Sequence, residues 1–194
     1  MKMKITVPLI LASNSPRRQQ LLKAAGFEFE VVVRPVEEVV PENLSPRAAA
    51  VEIAETKAKA YPDLAQDHLI ITADTVVVLG HKILGKPKDD SEAIQMLLSL
   101  SGRSHEVVSA VCLFHQGRFK SFAESTKVSF RQLTEDEIRH YIDHYQPFDK
   151  AGAYGIQEGI GMIGITGIEG DYYNVMGLPL ARLYRELEEF RREK

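Results

Sequence analysis

The segment Leu11-Ala12-Ser13-Asn14-Ser15-Pro16-Arg17-Arg18 carries a strand end into a helix start and puts two arginines in the first helical turn. A helix N-terminus already bears partial positive charge, so Arg17 and Arg18 lose stability there unless an anion lies between them and the free backbone N–H groups. Phosphate suits that arrangement. The hydroxyls of Ser13 and Ser15 add donors, and guanidinium forks pair with phosphate oxygens. The alternative is two solvated arginines on a capped helix.

A second candidate is Asp74 in Ile70-Ile71-Thr72-Ala73-Asp74-Thr75-Val76-Val77-Val78, where one carboxylate interrupts an apolar run. An unpaired carboxylate is costly to bury, so Asp74 is exposed at a strand end, paired, or bound to a metal or a reacting water. Lys57, among small helical residues, reads as solvated surface. Lys86, in Gly85-Lys86-Pro87, lies between a flexible and a rigid neighbour and is better placed to aim at a ligand. Glu37 and Glu38 either face solvent or supply a carboxylate for a triphosphate-bound Mg²⁺. Asp149 to Gln157 is rich in Gly and Ala, which permits close backbone approach. There the amide of Gln157 suits a pyrimidine edge or is a surface amide.

These groups need elements to position them. Ser15 and Ser45 are each followed by proline, the signature of an N-cap and first helical residue, so helices are predicted from Pro16 until Gly26 closes the first, and from Pro46 to about Ala60. Strands are expected over Val7 to Ala12, Phe27 to Val33 and Leu69 to Leu79. His105 to His115 and Arg118 to Phe130 form two more, turning at Gln116-Gly117. Further helices are expected from about Ser91 to Leu100, from the capping box at Thr134 to about Tyr145, and from Pro179 to about Arg191. Gly152 to Gly170 reads as a glycine-rich connection. Early βα units followed by a hairpin predict an α/β fold with a mixed, twisted sheet and flanking helices.

With 194 residues, 44% hydrophobic and 26% charged, the chain reads as one soluble globular domain over 1–194. A net charge of -3 argues against general binding to nucleic acid or anionic membrane, so an anionic ligand needs a local basic cluster. The one cysteine, Cys112, lies in an apolar run and reads as a buried, inert thiol in a reducing, cytoplasmic setting. No stretch has the length of a signal-peptide core or a membrane span. The P-loop, zinc-helix and nucleophile-elbow motifs are absent, and Arg185-Glu186-Leu187-Glu188-Glu189 lacks the glycine and spacing of a Nudix helix.

Taken together, Leu11 to Arg18, Thr72-Ala73-Asp74-Thr75 with Gly85-Lys86-Pro87, Ser101-Gly102-Arg103-Ser104-His105, and Asp149 to Gln157 followed by Asn174-Val175-Met176-Gly177-Leu178-Pro179 resemble the Maf family of nucleotide pyrophosphatases over essentially the whole chain. The resemblance implies a two-lobed fold similar to the inosine triphosphate pyrophosphatases, a nucleotide held between lobes, a homodimer and a divalent metal, Mg²⁺ or Mn²⁺. By similarity Asp74 accepts the proton of the attacking water or holds the metal. Lys57, Lys86 and Glu38 line the triphosphate site, with Glu38 and Asp74 as metal carboxylates, and Arg17, Thr75 and Gln157 set base preference. Lys150 to Gln157 looks like the branch that cuts dTTP and UTP to monophosphate and pyrophosphate, a house-cleaning activity, rather than the branch preferring 7-methyl-GTP. The other reading is a non-catalytic nucleotide sensor regulating septum formation. It needs the arginines but not Asp74.

Overall fold

The sheet is organised around the most apolar run in the sequence. The structure, a computed structural model, describes residues 7–37 and 44–192. Among them β1 (Leu9–Leu11), α1 (Pro16–Ala24), β2 (Glu30–Val31), α2 (Pro46–Ala58), β3 (Leu69–Leu79), β4 (Lys82–Leu84) and α3 (Asp90–Leu100) come first. The hairpin β5 (Ser104–His115) and β6 (Arg118–Phe130) follows, then α4 (Glu135–Tyr145), α5 (Gly159–Gly164), β7 (Ile165–Glu169), α6 (Tyr172–Met176) and α7 (Leu180–Arg192). Strand order is β2-β1-β3-β5-β6-β7, with β4 paired to β3. β1 is parallel to β2 and β3, whereas β4 and β7 are antiparallel to β3 and β6. The mixed α/β architecture is the one expected.

Local chemistry explains the element ends. Ser15 and Ser45 cap α1 and α2 by accepting from the backbone N–H groups of Arg18 and Ala48, with proline at the first helical position of each. α1 stops at Gly26, whose φ of +83° is free for glycine; Phe27 N then donates to Leu22 O and Gly26 N to Lys23 O, closing the last turn. α4 opens with both halves of the Thr134–Glu137 capping box. Gln116 and Gly117 both take positive φ, the backbone a two-residue hairpin turn requires.

The described residues divide into two compact units. One lies within Met1–Asp74, Ser109–Glu124 and Gly177–Lys194, the other within Thr75–Val108 and Ser125–Met176. No boundary was visible along the sequence because each unit is assembled from separated stretches. In the first, α7 buries Leu183, Leu187 and Phe190, at helical spacing, and β1 and the start of β3 contribute Ile10, Leu11, Ile70 and Ile71. The core of the second joins Leu97 and Leu100 of α3 with Ile138, Tyr141 and Ile142 of α4, and with Val77, Val107 and Phe130 from the strands.

Two expectations are corrected. The strand predicted over Phe27 to Val33 shrinks to Glu30–Val31, because its partner β1 offers only Ile10 and Leu11 for pairing, and Val31 and Val33 are exposed. The glycine-rich connection contains α5 and β7. Its glycines permit close packing: a side chain on Gly161 would collide with Gly155 O, and one on Gly164 with Phe130 and Leu133. β7 then pairs with β6 from Lys127 to Phe130.

Candidate active site

In the first unit, the β1 end and the first turn of α1 are joined through Arg18. Ser13 is buried, and its hydroxyl accepts from Ser15 N at 3.2 Å and from Arg18 Nη1 at 3.3 Å. The same Nη1 donates to Ala73 O at 2.9 Å, and Nε donates to Gly177 O at 2.8 Å. Gln19 Nε2 adds a bond to Ser13 O at 3.1 Å. One guanidinium thus ties the turn after β1, the residue before Asp74 and the chain leading into α7. Arg17, one residue earlier, is half-buried in the same helical turn, which contains no acidic residue.

Asp74 is 9% exposed, and its Oδ1 accepts from Lys57 Nζ at 2.9 Å. Of the alternatives open for Asp74, the structure shows it paired. Lys57, read from sequence as solvated surface, is the partner. Its position follows from one hydroxyl: Thr72 Oγ1 donates to Ala54 O at 2.6 Å, fixing β3 against α2. Asp74 is two residues along the strand from Thr72 and shares its face; Lys57 is three residues along the helix from Ala54 and shares its face. The Thr72–Ala54 bond therefore sets the register of the Lys57–Asp74 pair. Sequence reasoning missed Thr72, although period-two spacing with Asp74 was the available signal. Both charged side chains are largely withdrawn from water, at 15% and 13% exposed, so each depends on the other.

In the second unit, Thr75 follows Asp74 on β3 and is half-buried. Lys86 is exposed, and its neighbour Gly85 accepts from Gly152 N at 2.9 Å, which brings the Gly85-Lys86-Pro87 turn to the Asp149–Gln157 segment. Gln157 is half-buried, yet its Oε1 is fully enclosed without a hydrogen-bond partner. An enclosed acceptor without a donor is costly, and only a donor that reaches it relieves that cost. His105 is buried, stacks on Phe130 and bonds Tyr154 Oη through Nε2 at 2.7 Å. Burial pushes it down to about 4, so it is neutral at physiological pH, and the same desolvation pushes the Tyr154 phenol up. Cys112 is buried and its thiol is pushed up to about 11, as an inert core thiol should be.

Glu38 lies outside the described residues. Among the described residues no group of three or more His, Cys, Asp or Glu side chains is placed to hold a metal, and no helix is long and apolar enough to cross a membrane. Asp74, a hard oxygen donor, has the chemistry for a Mg²⁺ or Mn²⁺ ion, and Mg²⁺ characteristically takes only one or two protein carboxylates beside substrate phosphates.

The chain superposes on the structure of the Staphylococcus aureus Ham1 protein with a TM-score of 0.52 at 17% identity, covering 94% of this chain and 98% of that one. The sequence then gives the family: the profile of the Maf-like proteins matches residues 8–190, and the chain belongs to that family. Its relatives include a dTTP/UTP pyrophosphatase of Phocaeicola vulgatus, 50% identical over 93% of this chain and 94% of the relative. Proteins of that name from Porphyromonas gingivalis and Bacillus cereus are each 47% identical, covering 94% of this chain and 94% and 95% of theirs.

Proposed function

We propose that this protein hydrolyses dTTP and UTP to the monophosphate and pyrophosphate. The reading is carried by the near-buried Asp74 carboxylate held by Lys57, in a chain half identical to a dTTP/UTP pyrophosphatase. Asp74 takes the proton of a water whose oxygen bonds the α phosphorus. The α–β bridging P–O bond breaks, and pyrophosphate leaves with that electron pair. The Ser13 and Ser15 hydroxyls face the phosphate oxygens, and Arg18 keeps Ser13 and the Ala73 carbonyl in place. Lys86 adds cationic charge for the triphosphate. Asp74 and Glu38 would hold a Mg²⁺ or Mn²⁺ ion, which would neutralise charge on the phosphate oxygens.

Thr75, Arg17 and Gln157 set base preference. A uracil or thymine edge presents carbonyl acceptors around one N3–H, and a glutamine amide meets both; the partnerless Gln157 Oε1 is the acceptor that N3–H needs. The physiological setting is a cytoplasmic house-cleaning enzyme working as a homodimer. Incubating the purified protein with Mg²⁺ or Mn²⁺ and a panel of nucleoside triphosphates tests this. UMP or dTMP with pyrophosphate in equal amounts is expected, whereas diphosphate with orthophosphate would place the cut elsewhere.

A further inference from the structure

Lys150 is the only buried lysine or arginine among the described residues. A buried ammonium persists only with a partner; Lys150 Nζ hydrogen-bonds Asp149 Oδ1 at 2.7 Å and lies in ion-pair contact with Glu158 Oε1 at 3.1 Å, outside hydrogen-bond geometry. Asp149 is the preceding residue and is half-exposed, so that contact fixes little beyond itself. Glu158 lies at the far end of the loop, and its pairing closes the whole segment containing Gly152, Gly155 and Gln157.

The loop is shaped around that closure. The Glu158 carboxylate occupies the space where a side chain on Gly155 would begin, and Gly155 N is anchored to Tyr141 Oη at 3.1 Å. Gly152, at φ +70°, lies against Val77, where a Cβ would meet side-chain atoms at 3.0 to 3.1 Å. On the other side, Glu158 O accepts from Gly161 N at 2.9 Å and starts α5. Glu158 itself is extended, with φ −141° and ψ 152°. Gln157 precedes it in the turn at Ile156-Gln157, so fixing Glu158 fixes the backbone from which the Gln157 amide projects.

We infer that the Lys150–Glu158 ion pair is a positioning pair for base discrimination: it closes the 150–158 loop and fixes the backbone that presents the Gln157 amide to the base. The inference rests on the reading that Gln157 pairs with the base. Neither Lys150 nor Glu158 touches the nucleotide in this scheme. Its signature is therefore selectivity, since a recognition amide displaced by a fraction of an ångström loses its hydrogen bonds while the phosphate machinery is untouched.

The test measures kcat/KM for UTP and CTP in wild type, Gln157→Ala, Glu158→Gln, Lys150→Met, Lys150→Arg and the double variant Gln157→Ala/Glu158→Gln, with a thermal melt confirming that each is folded. Glu158→Gln keeps volume and removes charge, and it should lower the UTP to CTP ratio roughly tenfold, with the loss on UTP. Lys150→Met should do the same, Lys150→Arg should retain most of the ratio, and the double variant should lose no more than Gln157→Ala alone. A ratio held by Glu158→Gln but collapsed by Gln157→Ala would overturn the positioning role and leave the base reading intact. Equal losses on UTP and CTP in folded Lys150→Met would also overturn it, placing Lys150 at the phosphates. A ratio unchanged in Gln157→Ala would remove the base reading and this inference with it.

Discussion

Two helices of the first unit begin with the same three residues, Ser15-Pro16-Arg17 and Ser45-Pro46-Arg47, and the structure uses them differently. Both serines cap, both prolines take the first helical position, and neither first turn holds an acidic residue. α2 spends its arginine on structure, with Arg47 Nη2 donating to Ala123 O. α1 carries a second arginine, and that side chain reaches Ser13, Gly177 and Ala73, the residue before Asp74. A cap motif specifies a helix start, whereas the surroundings decide whether the start does chemistry. The other end of α2 makes the same point: its last turn, away from the cap, delivers Lys57 to Asp74.

The contrast breaks most visibly at Lys57. Lys57→Met strands a near-buried carboxylate, so stability should fall by about 3 kcal/mol. Pyrophosphate release should fall by at least roughly 10²-fold, as expected when a reacting group is misplaced. A melt and a steady-state assay on one preparation check both, and normal turnover would detach Lys57 from the site. Next come the arginines. Arg18→Ala removes the bonds holding Ser13 and the Ala73 carbonyl and should lower kcat/KM by about 10²-fold. Arg47→Ala should cost about 1 kcal/mol in a denaturant melt and leave kcat/KM within roughly twofold. Equal kinetic losses would mean that both helix starts serve the same purpose. The smallest effect belongs to the caps: Ser15→Ala and Ser45→Ala should each cost roughly 1 kcal/mol of stability, and only Ser15→Ala should raise KM for UTP. A raised KM in Ser45→Ala would contradict the division.

What could be read from sequence was what is decided locally. Ser-Pro pairs, the Thr134–Glu137 box and the Gln116-Gly117 turn announce themselves over three or four residues, and the structure contains each. β3 was legible because eleven residues of nearly unbroken apolar character leave few other fates. β4, α5 and β7 were not legible. Lys82–Leu84 is too short to show a period, and the glycines of 152–170 read as breakers when they serve close packing. In the site, Arg17, Arg18 and Asp74 stood out because each sits where its charge is costly. Lys57 did not, because its partner lies across α2 and β3 and the Thr72 hydroxyl that sets the register forms a tertiary bond. The Lys150–Glu158 closure was hidden for the same reason: two charges flanking a glycine-rich run suggest solvent until burial shows otherwise.

The central claim is that Asp74 is the carboxylate of a pyrophosphatase acting at the α phosphorus, and Asp74→Asn tests it while preserving side-chain volume. UTP hydrolysis in ¹⁸O-enriched water, followed for product identity, isotope position and rate in wild type and variant, is the measurement. Wild type should give UMP carrying the label with unlabelled pyrophosphate. The variant should bind UTP yet turn over about 10² to 10⁴ times more slowly. Label in pyrophosphate, orthophosphate as the released product, or near-normal turnover by Asp74→Asn would contradict the account.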